Sequence, residues 1–518
     1  MNVVQDTVVH MVIPSSELQF LVGHIDRCEV LKDDGTNAEV AVYWGVAEMQ
    51  RLVRIYGDAP NPMLKEYDWP GMYQPFAHQK VTSSFLSLRD RCFCFNEAGT
   101  GKTSSVIWAA DYLMQLGIVK RVLVVCPLSI MYSAWQADIF KTAMHRTVGV
   151  AYGDASKRKK IINGEYEFVV INFDGVGIVQ EEIGKAGFDL IVIDEANAYK
   201  TVSTKRWKTL AKLITPSTRL WMMTGTPASQ SPLDAFGLAK LVNPAGVPKY
   251  FTAWRDRVMQ PISKFKWVPR AIAQQEVFGA LQPAIRFEKA DCLDLPELVY
   301  QTREVALTPQ VNRYYRELKN QLLIEAAGEQ ISAVNAAAKL SKLLQLSGGA
   351  IYTDTKEVVE FDVSPRLNAL MEVLDETQHK VVVFVPFRHT IVLVARHLTS
   401  QGVVNEIING DVPAKERSEI INRFQTQTDP RVLVIQPQAA SHGVTLTAAD
   451  TVVFWSPVMS VETYLQCVAR IDRVGQKNSM TVVHLQGSEA ERKVYQMLQG
   501  KVDTHERLVD LYKEELGI

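Results

Sequence analysis

Two short stretches carry residues whose types and spacing suit phosphate chemistry. In NEAGTGKT, Gly99 and Gly101 on either side of Thr100 let the backbone pass close to an anion. Lys102 can reach outer phosphates, and the Thr103 hydroxyl can hold Mg2+. The segment that follows, from about Thr103 to Leu116, reads as a helix whose N-terminal N–H groups would aim at the same phosphates. Asn96 stands where Gly-x-x-x-x-Gly-Lys-Thr begins with glycine, so this fragment alone also reads as an exposed turn carrying a lysine. The second stretch, FDLIVIDEANAYK, is an apolar strand ending in Asp194 and Glu195. Acidic side chains at the end of a buried strand are costly unless they meet a cation or solvent. Asp194 fits a metal partner, and Glu195 fits a base that orients and deprotonates an attacking water. Together the two stretches point to a nucleotide hydrolase.

Such residues need a scaffold of buried parallel strands, and the chain supplies one twice. Between about 71 and 245, CFCF, RVLVVCP, EFVVINF, DLIVID and TRLWMMTGTP alternate with helical stretches. From about 366 to 490, KVVVFVP, VVNEIIN, RVLVIQP, TVVFWSP and TVVHLQ repeat the rhythm without a phosphate loop. Continuous apolar strands separated by helices call for mostly parallel sheets covered on both faces, hence an α/β fold. Residues 1–70 read as a small α+β domain: strand VVHMVI, helix SSELQFLVGHI and a hairpin turning at Asp-Gly-Thr-Asn. It is either a nucleic-acid-binding accessory or a cover for the next domain. A linker rich in Pro and Gly, GDAPNPMLKEYDWPGMYQP, closes it. Residues 246–365 lose the strand rhythm and become helical, either bracing the lobes or extending a substrate groove, and 491–518 form a polar helical tail.

Composition narrows the class. A chain of 518 residues exceeds one ordinary core. Its 47% hydrophobic and 22% charged content fits a soluble globular protein. No run approaches the ~18 apolar residues of a membrane span, and MNVVQDTVVHMV lacks a basic leader, so neither membrane nor secretion is expected. The six cysteines are scattered, without paired metal-ligand spacing, and read as buried reduced thiols. A net charge of −1 rules out a wholly basic surface but leaves room for a local basic groove.

The ordered motifs from Phe76 to Met480 resemble the superfamily 2 helicases and, within them, the Swi/Snf-like DNA translocases. Gln79 in PFAHQK matches the adenine-recognition position, and NEAGTGKT matches the phosphate motif with Asn96 replacing its leading aspartate. VLVVCPLSIMYSAW, with Pro127 and Trp135, resembles the motif that approaches the nucleic-acid backbone. DEAN matches the acidic motif, with Asn197 where histidine is common. LWMMTGTPASQSP supplies the coupling residues Thr224, Gly225 and Thr226. In the second lobe, Gly410, Arg417 and Phe424 match a further family pattern, and SHGVTLTAADTVVFWSP brings Gly443 and Thr445. YLQCVARIDRVGQKNSM matches the final motif through Gln466, Arg470, Arg473, Gly475 and Gln476, and its Arg-Val-Gly-Gln ending favours the Swi/Snf-like branch. Ser456 before Pro457 and His442 depart from the pattern.

The resemblance implies two tandem RecA-like lobes, ATP and Mg2+ as cofactors, double-stranded DNA as partner, and coupling of hydrolysis to lobe closure and movement along the duplex. Lys102 and Glu195 are the catalytic candidates in the first lobe, with Asp194 and Thr103 for the metal. Arg470 and Arg473, expected one turn apart on a helix, would stabilise the charge of the transferring phosphoryl group, although either could serve as a structural ion pair. Candidate phosphate contacts are Lys200, which resembles a family lysine, and Lys205, Arg206 and Lys208. KRKK at 157–160 is either a further basic patch or a solvated loop. Two other readings stand beside the translocase: a strand-separating helicase on forks, single strands or RNA, and a nucleotide-switched interaction protein. Lack of a histone-reading signature favours a compact bacterial or viral enzyme of replication, recombination or repair, located in the cytoplasm, on the nucleoid or in a host cell.

Overall fold

The computed structural model describes residues 1–225, 227, 231–262, 267–327, 333–352, 358–440 and 444–500. It divides into two compact units, one comprising Met1–Pro227 and Pro232–Glu288, the other chiefly Lys289 onward.

The first unit begins with a four-stranded antiparallel sheet in the order Asn2–Val4, Val8–Pro14, Asn37–Tyr43, Cys28–Asp33. Its hairpin turn forms where Asp34 Oδ1 accepts from the N–H groups of Thr36 and Asn37, both at 2.8 Å, and Gly35 takes a φ of 84°. This sheet does not own a separate core. Val9, Val40 and Leu52 belong to one apolar cluster with Leu86, Trp108 and Trp221 of the α/β layer. Gln50 Nε2 and Asn61 Nδ2 donate to the carbonyls of Ser87 and Ser84 at 2.7 and 2.6 Å, fastening the segment to helix Ala77–Ser87. The expected linker is equally anchored. Tyr67 donates to the buried Asp111 at 2.6 Å, and Trp108 Nε1 donates to the Pro70 carbonyl at 3.0 Å.

The same unit holds a seven-stranded parallel sheet in the order Ala284–Ile285, Arg91–Cys94, Arg219–Met223, Leu190–Asp194, Val122–Cys126, Phe168–Asn172, Val148–Ala151. The apolar runs form its centre because helices cover both faces, which leaves no position along them for a polar residue. The second unit repeats the architecture with six parallel strands: Leu298–Glu304, Met480–Gln486, Ala449–Phe454, Lys380–Phe384, Val432–Ile435, Asn405–Ile408. Deep in it, Arg366 pairs with Glu491 at 2.8 Å, both almost fully buried. Glu491 also accepts from the N–H groups of Gly487 and Ser488, so the charge is hydrogen-bonded as well as paired. The α/β class with RecA-like sheets is therefore as expected.

Residues 246–365 do not form one helical body. Helices Pro309–Ala327 and Ala333–Gly348 are present. However, Ala284–Ile285 pairs with the phosphate-loop strand of the first unit, and Leu298–Glu304 pairs with Met480–Gln486 of the second. Both are edge strands. The first is two residues long and the second is largely exposed, so neither shows the apolar run of a central strand. Helix Glu489–Gln499 opens the C-terminal segment, and the expected tail beyond Gly500 lies outside the described residues. No helix among the described residues is long and apolar enough to cross a membrane.

Candidate nucleotide-binding and hydrolysis site

Strand register builds the site in the first unit. Cys94, Met223 and Asp194 lie side by side, and strand Val122–Cys126 follows next in the sheet. The segments leaving these strands therefore emerge on one edge: the glycine loop, Thr224, Glu195 and the stretch leading to Trp135.

The loop is held in shape by its own residues and by helix Ala77–Ser87. Gly99 and Gly101 have φ of 90° and 78°, a region costly for residues with a Cβ. A Cβ on Gly101 would also lie 2.1 Å from Gln79 Nε2. Thr100 turns its hydroxyl onto the Glu97 carbonyl at 2.8 Å, while its own carbonyl accepts from His78 Nε2 at 2.8 Å and Gln79 Nε2 at 3.2 Å. Because a carbonyl only accepts, His78 carries its proton on Nε2. Gln79 Oε1 accepts from the Phe76 N–H at 2.9 Å, so one amide donor and one acceptor lone pair remain, the complement of an adenine edge. Lys102, first residue of helix Lys102–Gln115, donates to the carbonyls of Asn96 and Glu97 at 2.7 and 3.0 Å, which keeps its ammonium at the loop. Thr103 follows in the first helical turn.

Asp194 is buried, and both its oxygens are engaged: Oδ2 accepts from Trp135 Nε1 at 2.9 Å and Oδ1 from the Glu195 N–H at 3.0 Å. Burial pushes its carboxyl above the ordinary value, opposed by the Trp135 bond, the Lys102 ammonium and the Glu195 N–H. Glu195 has a φ of 55°, a left-handed conformation that costs a non-glycine residue about 1 kcal/mol or more. The kink turns the chain off the strand axis just after Asp194. The Thr103 hydroxyl and Asp194 carboxylate are hard oxygen donors of the kind magnesium takes, one or two from protein beside phosphate and water. Thr224 is buried and donates from its N–H to Cys94 O at 3.1 Å. A Cβ on Gly225 would lie 3.3 Å from Ala98 N, so the segment expected to couple hydrolysis to movement runs against the glycine loop. Thr226 lies outside the described residues.

In the second unit the arginines are not on one helix. Helix Val461–Val468 ends before them, and residues 469–475 form turns. They still converge, since Nη1 of Arg470 and Nη1 of Arg473 each donate to the Val444 carbonyl at 3.2 Å. Arg470 is buried and also donates to the carbonyl of the buried Gln466 at 2.7 Å, whereas Arg473 is partly exposed. Lys289 pairs with Asp472, between the two arginines. Gly443 lies outside the described residues.

The basic candidates separate by environment. Lys200 is bridged to Asp234 at 3.1 Å and Arg206 to Asp174 at 2.8 Å. Lys205 and Lys208 are exposed on helix Lys205–Leu213. In KRKK, Arg158 is buried against the Ala151 and Gly153 carbonyls at 2.7 and 2.9 Å, so it is structural, and Lys159 pairs with Glu182 at 2.6 Å. Within the motif expected to approach a nucleic-acid backbone, Trp135 is fully buried against Asp194. That contact, like the His78 bond to the loop, leaves no pattern in the sequence.

A family profile described as the SNF2-related domain matches residues 73–354, and one for the helicase conserved C-terminal domain matches residues 365–475. A putative protein, p41, of Acyrthosiphon pisum secondary endosymbiont phage 1 is 24% identical over 77% of this chain and 88% of its own length. The SWI/SNF-related matrix-associated actin-dependent regulator of chromatin subfamily A-like protein 1 of Xenopus tropicalis is 23% identical over 83% of this chain. An uncharacterized ATP-dependent helicase of Mycoplasma genitalium is 24% identical over 75%. The chain spans only 44% and 37% of those last two proteins. A solved Sulfolobus solfataricus SWI2/SNF2 ATPase core in complex with dsDNA is 20% identical, with a TM-score of 0.42 over 83% of this chain and 92% of its own.

Proposed function

We propose that this chain, which belongs to the SNF2-related family within helicase superfamily 2, is an ATP-driven translocase that moves along double-stranded DNA. The observation that carries the reading is the line of adjacent strand ends presenting a glycine loop with Lys102, Thr224 and the Asp194–Glu195 pair. A second unit of the same architecture, with two converging arginines and no Gly-Lys-Thr loop of its own, supports it.

In this reading the N–H groups of the loop and of helix Lys102–Gln115 hold the phosphates, Lys102 exchanges its carbonyl partners for phosphate oxygens, and Gln79 reads adenine. Thr103 and Asp194 would hold magnesium, which when bound would supply positive charge to offset that building on the phosphate oxygens. Glu195 orients the attacking water and takes its proton. Arg470 and Arg473 stabilise the transferring phosphoryl group in a closed state, and hydrolysis releases that state. Alternation between closed and open states around backbone phosphates gives movement that is salt-sensitive and nearly sequence-blind. The relatives in a phage and in Mycoplasma genitalium support a bacterial or viral setting for this activity.

The deciding experiment is steady-state ATPase activity with linear duplex DNA, single-stranded DNA, forked DNA and duplex RNA offered separately, with Lys102→Ala as background. Strong stimulation by linear duplex, followed by displacement of a triplex-forming strand, is the expected result. Stimulation confined to forks or RNA would replace the translocase with a strand-remodelling helicase, and no stimulation by any nucleic acid would leave a nucleotide-switched binding protein.

A further inference from the structure

The stretch after strand Val122–Cys126 runs through a 3-10 turn, Leu128–Ile130, into a π-helical turn, Met131–Gln136. Such turns are rare and collect at functional sites. The two turns together divide their side chains between surface and core. Leu128 and Tyr132 are about half exposed, at 49% and 44%, and Tyr132 meets Tyr152 edge-on. Trp135 is fully buried, and its indole N–H ends on Asp194 Oδ2 at 2.9 Å.

That partner is unusual within this molecule. Trp44, Trp108, Trp207, Trp221, Trp254 and Trp455 all donate to backbone carbonyls, the ordinary way to satisfy a packed indole. Among the described residues Trp135 is the indole that donates to a carboxylate, and the carboxylate is the one that suits magnesium. With Oδ1 on the Glu195 N–H and Oδ2 on the indole, both oxygens are fixed in direction and each keeps a lone pair.

We propose that Trp135 is a positioning residue whose indole N–H presets the Asp194 carboxylate for magnesium and ties that carboxylate to the π-helical surface turn. The inference rests on the nucleotide-site reading above. Partners that orient a metal ligand typically change metal affinity roughly 10- to 100-fold when removed. A residue that only fills core volume would change stability and leave the metal dependence alone.

The test is binding of fluorescent N-methylanthraniloyl-ADP to the full chain, titrated with Mg2+. Trp135→Phe keeps an aromatic ring and removes the donor. The expected result is a Mg2+ midpoint raised roughly 10-fold or more, with affinity for metal-free nucleotide unchanged. Replacing Trp135 by its benzothiophene isostere, which keeps the indole shape without the N–H, should give the same shift and guards against poor folding of the phenylalanine variant. Combining either change with Asp194→Asn should add nothing further, since both act through one contact. A wild-type Mg2+ midpoint in both Trp135 variants overturns the proposal, as does an equal loss of metal-free and metal-dependent binding. If the unaltered protein binds nucleotide without regard to Mg2+, the nucleotide-site reading itself fails and takes the proposal with it.

Discussion

The side-chain carbonyl of Asn96 accepts a hydrogen bond from the backbone N–H of Phe287 at 2.9 Å, across 191 positions of chain. Its amide donates to Thr82 Oγ1 at 2.8 Å, and the Glu97 N–H donates to the Phe287 carbonyl at 3.0 Å. The residue that departs from the usual glycine or aspartate thus clamps the head of the phosphate loop between helix Ala77–Ser87 and the chain beyond strand Ala284–Ile285.

Removing that clamp leaves the half-buried Phe287 N–H without its partner and takes one donor from the buried Thr82 hydroxyl, which keeps its own bond to the His78 carbonyl. Asn96→Ala is expected to lower stability by about 1–3 kcal/mol, read from the midpoint of urea unfolding. An unchanged midpoint would show that the clamp is dispensable.

Glu195 sits next to the metal-suited carboxylate in a strained conformation that turns the chain off the strand axis. Glu195→Gln keeps size and hydrogen bonding but removes the base. Its kcat for ATP should fall roughly 10²- to 10⁴-fold with nucleotide affinity retained. Full turnover in single-turnover kinetics would assign the base elsewhere.

Arg470 and Arg473 share the Val444 carbonyl but differ in burial. Arg473→Ala should reduce duplex-stimulated hydrolysis by roughly 10³-fold or more while the melting temperature stays near that of the parent. Arg470→Ala should lower both, because it also removes the bond to the Gln466 carbonyl. Equal thermal loss in the two variants would contradict this division.

Lys205 and Lys208 are the exposed cations of their group, while Lys200 and Arg206 are bridged to Asp234 and Asp174. Replacing Lys205 and Lys208 together by alanine should flatten the slope of log affinity for duplex DNA against log salt by about 1.8. Lys200→Ala should change that slope less. The reverse order would move the footprint.

His484 lies buried beside Tyr464 and Tyr495, its Nε2 2.9 Å from the Tyr464 hydroxyl. Burial lowers its imidazole to about 4 from an ordinary value near 6.5. Between those values the unfolded chain takes up a proton that the folded chain refuses. Stability therefore falls as pH drops from about 6.5 to about 4, and is unaffected by this group above that window. Urea midpoints measured across the window should decline less steeply in His484→Gln than in the parent.

The sequence by itself determined the class of fold and pointed to the phosphate chemistry proposed for the first unit. Gly99, Gly101, Lys102, Asp194 and Glu195 are legible because a phosphate loop requires glycines at fixed spacing and because acidic residues at the end of an apolar strand have few other uses. The central strands are legible because burial on both faces leaves an unbroken apolar run. The edge strands Ala284–Ile285 and Leu298–Glu304 are not, since half-exposed pairing leaves no such run. Nor is the arginine geometry: the helical spacing expected of Arg470 and Arg473 gave way to turns after Val468, and the two side chains meet through a carbonyl supplied from Val444. Tertiary structure alone decided that Asn96 binds Phe287, that Arg158 is structural and that Trp135 faces Asp194. Arg158 reaches carbonyls only seven and five positions away and is decided by how its helix packs. The Asn96 and Trp135 bonds span 191 and 59 positions of chain, so their closure depends on strand order and register and not on the local spacing that a linear reading can detect.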